Sequence, residues 1–88
     1  MIRRDVLITN KRGLHARASA KFVTMAATLP ATVEVEKDGS RVVGTSIMGL
    51  MMLGAAMGDS VTISAIGDGA EDAVAQLCAL VENKFGED

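Results

Sequence analysis

An antiparallel hairpin near the middle of the chain limits the fold more than any other feature of the sequence. The residues TVEVEK at 32–37 alternate valine with glutamate, which is the period-two pattern of a strand with one buried face. Asp38 and Gly39 follow as a typical two-residue hairpin turn, and positions 41–43 then form a second strand. Because the glutamates face away from the valines, one side of the resulting sheet is left to solvent.

Strand and helix patterns alternate on both sides of this hairpin. Apolar alternation predicts strands at 2–9 and 60–66, and helical periodicity predicts helices at 16–28, at 47–53 and after Asp68. Pro30 ends the first helix, and Asp68 followed by Glu71 is a helix-start pattern. The order β-α-β-β-α-β-α, in which each β-α-β unit leaves a gap for an intervening strand, predicts an α+β fold. We expect a two-layer open-faced sandwich, with a four-stranded antiparallel sheet and three helices on one face.

The same periodicity predicts which helix faces are buried. In the first helix the apolar residues on one face are Ala16, Ala20, Val23 and Ala27. In the last helix the main apolar stripe consists of Ala73, Leu77, Leu80 and Val81, with Val74, Cys78 and Phe85 beside it.

Composition and charge exclude several classes of function. A formal net charge of −2, no basic run and only two aromatic residues argue against a nucleic-acid partner. The charged N-terminus lacks the apolar core of a signal peptide, and the single cysteine, Cys78, cannot form an internal disulfide, so we expect a cytoplasmic protein. The longest charge-free stretch, at 42–58, is interrupted by Gly, Thr and Ser and predicts no membrane insertion. With 88 residues the chain has room for one domain, 1–88.

The only histidine, His15, lies directly before the first helix, at or next to its N-cap. A helix N-terminus has unpaired backbone N–H groups and a partial positive charge, so it binds anions, phosphate above all. The backbone of Ala16, Arg17 and Ala18 would form such a phosphate cradle. The Arg17 side chain adds a forked, charged donor. These groups together suit a phosphoryl group taken up covalently on His15 and later released.

Other interpretations of His15 remain open from these residues alone. A lone histidine at a helix start is most often a cap or a solvated side chain without chemical function. A metal site has little support, because the chain has no second histidine and Cys78 falls in a predicted core stripe. A hydrolytic pair with Ser19 lacks an evident acidic partner and an oxyanion hole.

Two separate stretches resemble one protein family. GLHARASAKFV at 13–23 is similar to the active-site signature of the HPr family, the histidine-containing phosphocarriers of bacterial phosphotransferase systems. TSIMGLMMLGAAMGDSV at 45–61 is similar to the second helix and fourth strand of that family. The resemblance covers essentially the whole chain and implies the HPr-like β-α-β-β-α-β-α fold.

The resemblance also implies roles for individual residues. His15 matches the histidine that takes the phosphoryl group on Nδ1, Arg17 matches the arginine that stabilises the phosphate, and Ser46 matches the serine that an HPr kinase/phosphorylase modifies in part of the family. The implied phosphoryl donor is enzyme I and the implied acceptor is an enzyme IIA-type protein. Such a stoichiometric carrier is not an enzyme, needs no cofactor or metal, and is expected here as a monomer. The family usually has proline after the arginine, whereas this chain has Ala18; this change and the acidic FGED end favour the nitrogen-related NPr branch over the sugar-uptake branch.

The short helix at 47–53 is apolar on almost every side, which is more than a two-layer domain can bury. We expect Leu50 and Leu53 to face the core. The remaining apolar side chains would form a partner-binding patch beside His15, consisting of Ile47, Met48 and Met51. Flexible methionine suits a surface that binds several partners, although these methionines could instead fill gaps in the core.

Ser46 precedes this helix, where serine is a preferred N-cap. A phosphoserine at a helix N-terminus is electrostatically tolerated, but its charge beside an apolar patch would hinder partner binding. Ser46 is therefore predicted both as a cap and as a regulatory phosphorylation site. A rival hypothesis for the whole chain is a small α+β interaction module that acts through the Ile47–Met51 surface and never carries phosphate on His15.

Overall fold

A computed structural model describes residues 1–87 and has the predicted order of four strands and three helices. The strands are β1 (Ile2–Leu7), β2 (Thr32–Lys37), β3 (Ser40–Val43) and β4 (Ser60–Ile66). The helices are α1 (Ala16–Ala27), α2 (Ile47–Met52) and α3 (Ala70–Glu82), followed by a short 3₁₀ turn at Lys84–Gly86. The α+β sandwich with one antiparallel sheet is confirmed, although β1 ends before the predicted position 9.

The sheet has the strand order β1-β4-β2-β3, and all neighbouring strands are antiparallel. β4 fills the predicted gap between β1 and β2. At the hairpin turn Asp38 and Gly39 both have positive φ, 51° and 84°, as a turn of this length requires. The register places buried Val35 opposite buried Ile63, while the alternate residue Glu34 is only half-buried. One face of the sheet therefore packs against the helices and the other is open, as the hairpin pattern predicts.

The buried face of α1 differs from the predicted one. Of the predicted stripe, Ala16 and Ala27 are exposed and Ala20 and Val23 are half-buried. The residues that are buried in the core are instead Ala18, Ser19, Phe22 and Ala26. Phe22 has by far the largest apolar surface on this helix, so burying its ring outweighs burying several alanines and sets the rotation of the helix.

The predicted stripe of α3 is largely confirmed, but the start of the helix is not. The buried residues of α3 are Ala73, Val74, Leu77, Cys78 and Val81, whereas Leu80 is half-buried. Asp68 does not cap the helix. The N-cap is Gly69 in the left-handed conformation (φ 72°), without a side-chain hydrogen bond. Glu71 still lies in the first turn, where the helix dipole favours an acidic side chain.

After α3 the chain reverses through a left-handed turn that the sequence pattern did not predict. Lys84, Phe85 and Gly86 all have positive φ, 57°, 55° and 76°, and this conformation costs each non-glycine residue roughly 1–2 kcal/mol. The ring of Phe85 is buried in the core, and Lys21 Nζ donates a hydrogen bond to the Phe85 carbonyl oxygen at 2.7 Å. These contacts hold the turn closed and bring Glu87 back to the start of α1.

Candidate functional site

His15 is the N-cap of α1, as predicted. Its backbone is extended (φ −72°, ψ 179°), and its Nδ1 atom accepts a hydrogen bond from the N–H of Arg17 at 3.2 Å. The Ser19 amide donates to the His15 carbonyl oxygen at 2.9 Å. Because 16% of the His15 side chain is exposed, the ring is mostly enclosed but reachable from solvent. Nδ1 is therefore the ring nitrogen that lies at the positive end of α1.

The first turn of α1 has unused hydrogen-bond donors. Within residues 1–87, the N–H groups of Ala16 and Ala18 have no acceptor, while that of Arg17 binds the imidazole. The Arg17 side chain is exposed and forms no ion pair with a described residue. It lines a groove beside α1 together with Ala20. The predicted cradle thus has two unpaired backbone N–H groups at the start of α1, one on exposed Ala16 and one on buried Ala18. The exposed guanidinium of Arg17 lies on the same turn of the helix.

The turn before His15 is fixed against the loop after α2. Leu14 N–H donates to the carbonyl oxygen of Ala55 at 2.9 Å. Gly13 has φ 63°, and a Cβ atom at this position would lie 2.3 Å from the Ala55 carbonyl oxygen, so both the conformation and the space require glycine. This contact places the segment that follows α2 next to the residues that carry His15.

Glu87 binds the other imidazole nitrogen. Its Oε2 atom lies 2.5 Å from Nε2 of His15. The hydrogen bond to His15 holds the pKa of the Glu87 carboxyl below its usual range, and Asn10 and nearby Lys21 act in the same direction against the opposing effect of burial. Glu87 is therefore a carboxylate at neutral pH and can only accept hydrogen bonds. Nε2 must then carry the proton, which leaves the lone pair on Nδ1.

Asn10 binds the second oxygen of this carboxylate. Its side chain is buried (1% exposed), and Nδ2 donates to Glu87 Oε1 at 3.1 Å and to the Gly13 carbonyl oxygen at 2.8 Å. Its Oδ1 atom is buried and has no partner among the described residues. Rotating the amide by half a turn would place Oδ1 against two acceptors, so the network determines its orientation.

The sequence did not indicate Glu87, Asn10 or Lys21 as site residues. The His15–Glu87 contact joins positions 72 residues apart, and no local period connects them. The sequence pattern placed Phe85 beside the apolar stripe of the last helix, which is wrong: α3 ends at Glu82 and Phe85 lies on the turn that follows. The pattern therefore gave no signal for this contact.

The apolar residues of α2 divide as predicted. Leu50 is fully buried and Leu53, at the end of the helix, is buried as well. The exposed apolar side chains of this helix are Ile47, Met48, Met51 and Met52. Met48, with 72% of its surface exposed, has no packing role that would account for an apolar side chain here.

Ser46 is the N-cap of α2, as predicted. Its Oγ atom accepts a hydrogen bond from the N–H of Gly49 at 3.0 Å, and the side chain is half-buried at the edge of the exposed apolar surface. Its hydroxyl is thus engaged in the cap of a six-residue helix. A change at Ser46 therefore affects both the helix start and the adjoining surface.

The part of the chain described here offers no group of three or more His, Cys, Asp or Glu side chains that could hold a metal ion. Cys78 is buried in α3, and burial raises the pKa of its thiol, which makes it a poor nucleophile. In residues 1–87 there is also no helix long and apolar enough to cross a membrane.

Known proteins match nearly the whole chain. Residues 2–83 match the family model described as the PTS HPr component phosphorylation site. The phosphocarrier protein HPr of Cupriavidus necator is 45% identical over 87 residues, covering 99% of this chain and 98% of that protein. The phosphocarrier protein NPr of Shewanella violacea is 37% identical over 86 residues, covering 98% and 94%. The crystal structure of HPr-C-His from Thermoanaerobacter tengcongensis superimposes with a TM-score of 0.95 at 45% identity, covering 100% of this chain and 99% of that one.

Proposed function

The chain belongs to the HPr family of phosphocarrier proteins, and on this premise we propose that it accepts a phosphoryl group on His15 from phosphorylated enzyme I and passes it to an enzyme IIA-type protein. The process served is sugar uptake or nitrogen and carbon regulation, and residues 1–88 act as one monomeric carrier domain. Nδ1 of His15 lies at the N-terminus of α1, 3.2 Å from the amide nitrogen of Arg17, and this placement carries the proposal.

The transfer needs the electron pair on Nδ1, which becomes available when the hydrogen bond from the Arg17 N–H is released. The lone pair attacks phosphorus, the Nδ1–P bond forms, and the bond between phosphorus and the donor breaks with its electron pair leaving on the donor. The proton on Nε2 stays on the ring throughout. Transfer to the acceptor reverses these steps, with the acceptor nucleophile forming the new bond to phosphorus.

The start of α1 stabilises the charge of the transferred group. Phosphoryl oxygens on Nδ1 accept hydrogen bonds from the free N–H groups of Ala16 and Ala18, and the Arg17 guanidinium binds two of them as a fork. Proline, the usual family residue at position 18, has no N–H. Ala18 therefore supplies a backbone donor that most family members lack.

The surface of Ile47, Met48 and Met51 binds the donor and acceptor proteins, because it is apolar and exposed on a helix that packs against α1. The loop after this helix is joined to the His15 turn by the hydrogen bond from Leu14 to Ala55. Met48→Asp tests this: it should weaken binding of enzyme I by about tenfold or more, which corresponds to about 1.4 kcal/mol, without changing the fold. Leu7→Asp is the matched control, since Leu7 is half exposed on the open face of the sheet. Equal affinities for Met48→Asp and wild type would refute the assignment.

Ser46 is the site at which an HPr kinase/phosphorylase regulates docking. The added charge would stand at the edge of the apolar surface and oppose partner binding. Mass spectrometry of cells grown under varied carbon and nitrogen supply tests this role. The complete absence of phosphate from Ser46 in every condition would leave only the capping role.

Phosphoenolpyruvate and enzyme I, followed by phosphorus-31 NMR, test the central proposal. We expect an acid-labile phosphohistidine signal in the wild type. His15→Ala should lose it, and so should His15→Asn, which preserves a good N-cap and therefore the helix start. An unlabelled wild type with its cognate enzyme I would contradict phosphoryl transfer. The exposed surface of α2 would then favour an interaction module without phosphorylation.

A further inference from the structure

Resting on the proposed phosphoryl transfer, we propose that Glu87 and Asn10 are positioning residues for His15. Glu87 keeps the imidazole proton on Nε2, so that Nδ1 is the unprotonated nitrogen facing the phosphate cradle. Asn10 holds the Glu87 carboxylate in that place. The contacts are the 2.5 Å approach of Glu87 Oε2 to Nε2 and the 3.1 Å hydrogen bond from Asn10 Nδ2 to Glu87 Oε1.

The carboxylate also matches the charge that develops during transfer. When neutral imidazole forms the Nδ1–P bond and keeps its proton on Nε2, the ring becomes a cation. A carboxylate in direct contact with Nε2–H stabilises this cation, in a partly buried setting where such a pair is stronger than in water. No proton has to leave the site during either transfer.

Asn10 ties the carboxylate to the same turn that carries His15. One N–H of its amide binds Glu87 and the other binds the Gly13 carbonyl oxygen, two residues before His15. Within residues 1–87, Oδ1 is buried without a partner, and an unpaired buried acceptor works against folding. Asn10 therefore holds the Glu87 carboxylate in place even though its own unpaired oxygen lowers the stability of the fold.

The left-handed turn at Lys84–Gly86 fixes the approach of Glu87. Lys84 and Phe85 occupy a conformation that favours glycine, and buried Phe85 with the Lys21 hydrogen bond holds them there. Strained backbone of this kind persists where the surrounding structure determines it, and it is concentrated at functional sites. The turn thus fixes the C-terminal segment in the position from which Glu87 contacts Nε2.

Glu87→Gln and Glu87→Ala distinguish a positioning role from a merely structural one. Glutamine has the same shape but only one side-chain oxygen, and that oxygen accepts the hydrogen bond from Asn10 Nδ2. Its NH₂ group would then face Nε2, and because two donors cannot face each other the imidazole proton moves to Nδ1. This breaks the hydrogen bond from the Arg17 N–H, but that bond is exposed and its donor can bind water instead, whereas the Nε2 contact is partly buried. Alanine removes the partner without imposing the wrong tautomer. We therefore expect transfer from enzyme I to slow by about tenfold or more in Glu87→Gln and by less in Glu87→Ala, although glutamine is the closer structural match.

Nitrogen-15 NMR of the His15 ring, at about pH 8 where an ordinary histidine is neutral, reports the proton directly. We expect the proton on Nε2 in the wild type and a large population on Nδ1 in Glu87→Gln. Adding Asn10→Ala to Glu87→Gln frees the glutamine to accept from Nε2–H, and should restore both the tautomer and much of the rate. Glu82→Gln, the same charge change on an exposed residue of α3, should change neither.

Each outcome decides the proposal. A proton that stays on Nε2 in Glu87→Gln, or a rate for Glu87→Gln that equals or exceeds that of Glu87→Ala, would overturn it. Should Asn10→Ala prevent folding, the comparison of the two Glu87 variants still decides the role of the carboxylate. A phosphorylated wild type with unaffected Glu87 variants refutes only the positioning role, whereas an unphosphorylated wild type refutes the proposed function and this role with it.

Discussion

The two phenylalanines of the chain are equally buried but differ in how they are held. Phe22 lies inside α1 and Phe85 lies on the left-handed turn that follows α3, and each is 1% exposed. We expect α1 to leave the core only on global unfolding, whereas the short C-terminal turn can open locally because few elements hold it. Phe22→Ala and Phe85→Ala are therefore chemically identical changes with different expected responses.

The expected magnitudes follow from what remains after each truncation. At position 22 the ring leaves a cavity that the helix cannot close, so we expect a loss of about 3–5 kcal/mol of unfolding free energy. At position 85 the turn opens instead. Opening avoids the cavity and relieves roughly 1–2 kcal/mol of left-handed strain per non-glycine residue. The loss should then fall to the transfer value of the side chain, about 1.5–3 kcal/mol.

Urea unfolding followed by circular dichroism measures both losses. A domain of 88 residues has a total stability of roughly 4–13 kcal/mol, so the Phe22 variant can be close to unfolded. In that case Phe22→Leu and Phe85→Leu replace the alanine variants. Both should lose less unfolding free energy, and Phe22→Leu should still lose more than Phe85→Leu. Nitrogen-15 NMR of the His15 ring is the second measurement, because an open turn removes Glu87 from Nε2. We expect the His15–Glu87 contact to be lost in Phe85→Ala and retained in Phe22→Ala.

Equal losses of about 3–5 kcal/mol for the two variants, with the His15–Glu87 contact intact in both, would refute this reasoning. The turn would then be as firmly part of the core as α1. Backbone strain at Lys84 and Phe85 would then have no measurable effect on the unfolding free energy that is lost when Phe85 is truncated.

Three further predictions concern the helix starts and the acid behaviour of the site. Ser46→Ala removes the hydrogen bond from Gly49 N–H and should lower the unfolding free energy by about 1 kcal/mol in urea titrations; an unchanged midpoint would show that the cap contributes nothing. Ala18→Pro removes one backbone donor at the phosphate cradle, so phosphoryl transfer should slow without being abolished; rates equal to wild type would contradict this role of the amide. The folded-state pKa of Glu87 lies below its unfolded value of 4.5, so its contribution to stability is present above that pH and is lost as the pH falls through the folded-state pKa. The stability difference between wild type and Glu87→Gln should therefore shrink in acid, and a difference that does not vary with pH would count against the ionised contact.

The predictions that the structure confirms rest on local patterns. The hairpin turn at Asp38 and Gly39 and the N-caps at His15 and Ser46 depend on neighbouring residues, so their physics is visible in a short window of sequence. The burial of Leu50 within an exposed helix follows in the same way from the limited area that a two-layer domain can cover.

The predictions that failed depend on competition between local signals and packing. Asp68 has the side chain of a helix cap, yet the chain enters α3 through left-handed Gly69. The alanine stripe of α1 has the correct period, but the ring of Phe22 contributes more burial than the alanines do, and the helix turns accordingly. The spacing of apolar residues along the sequence identifies a helix, but which face of that helix is buried depends on the elements that pack against it.

The sequence by itself determined the order of elements, the helix start at His15 and, through the HPr-like motifs, the family. The resemblance already implied Nδ1 as the reactive nitrogen, but only the tertiary structure decided which side chain binds the opposite nitrogen, Nε2. That partner is Glu87, which reaches Nε2 from 72 positions away on a turn closed by the burial of Phe85. A hydrogen bond between distant residues leaves no period or motif in the sequence, because it exists only once the core has brought the two ends of the chain together.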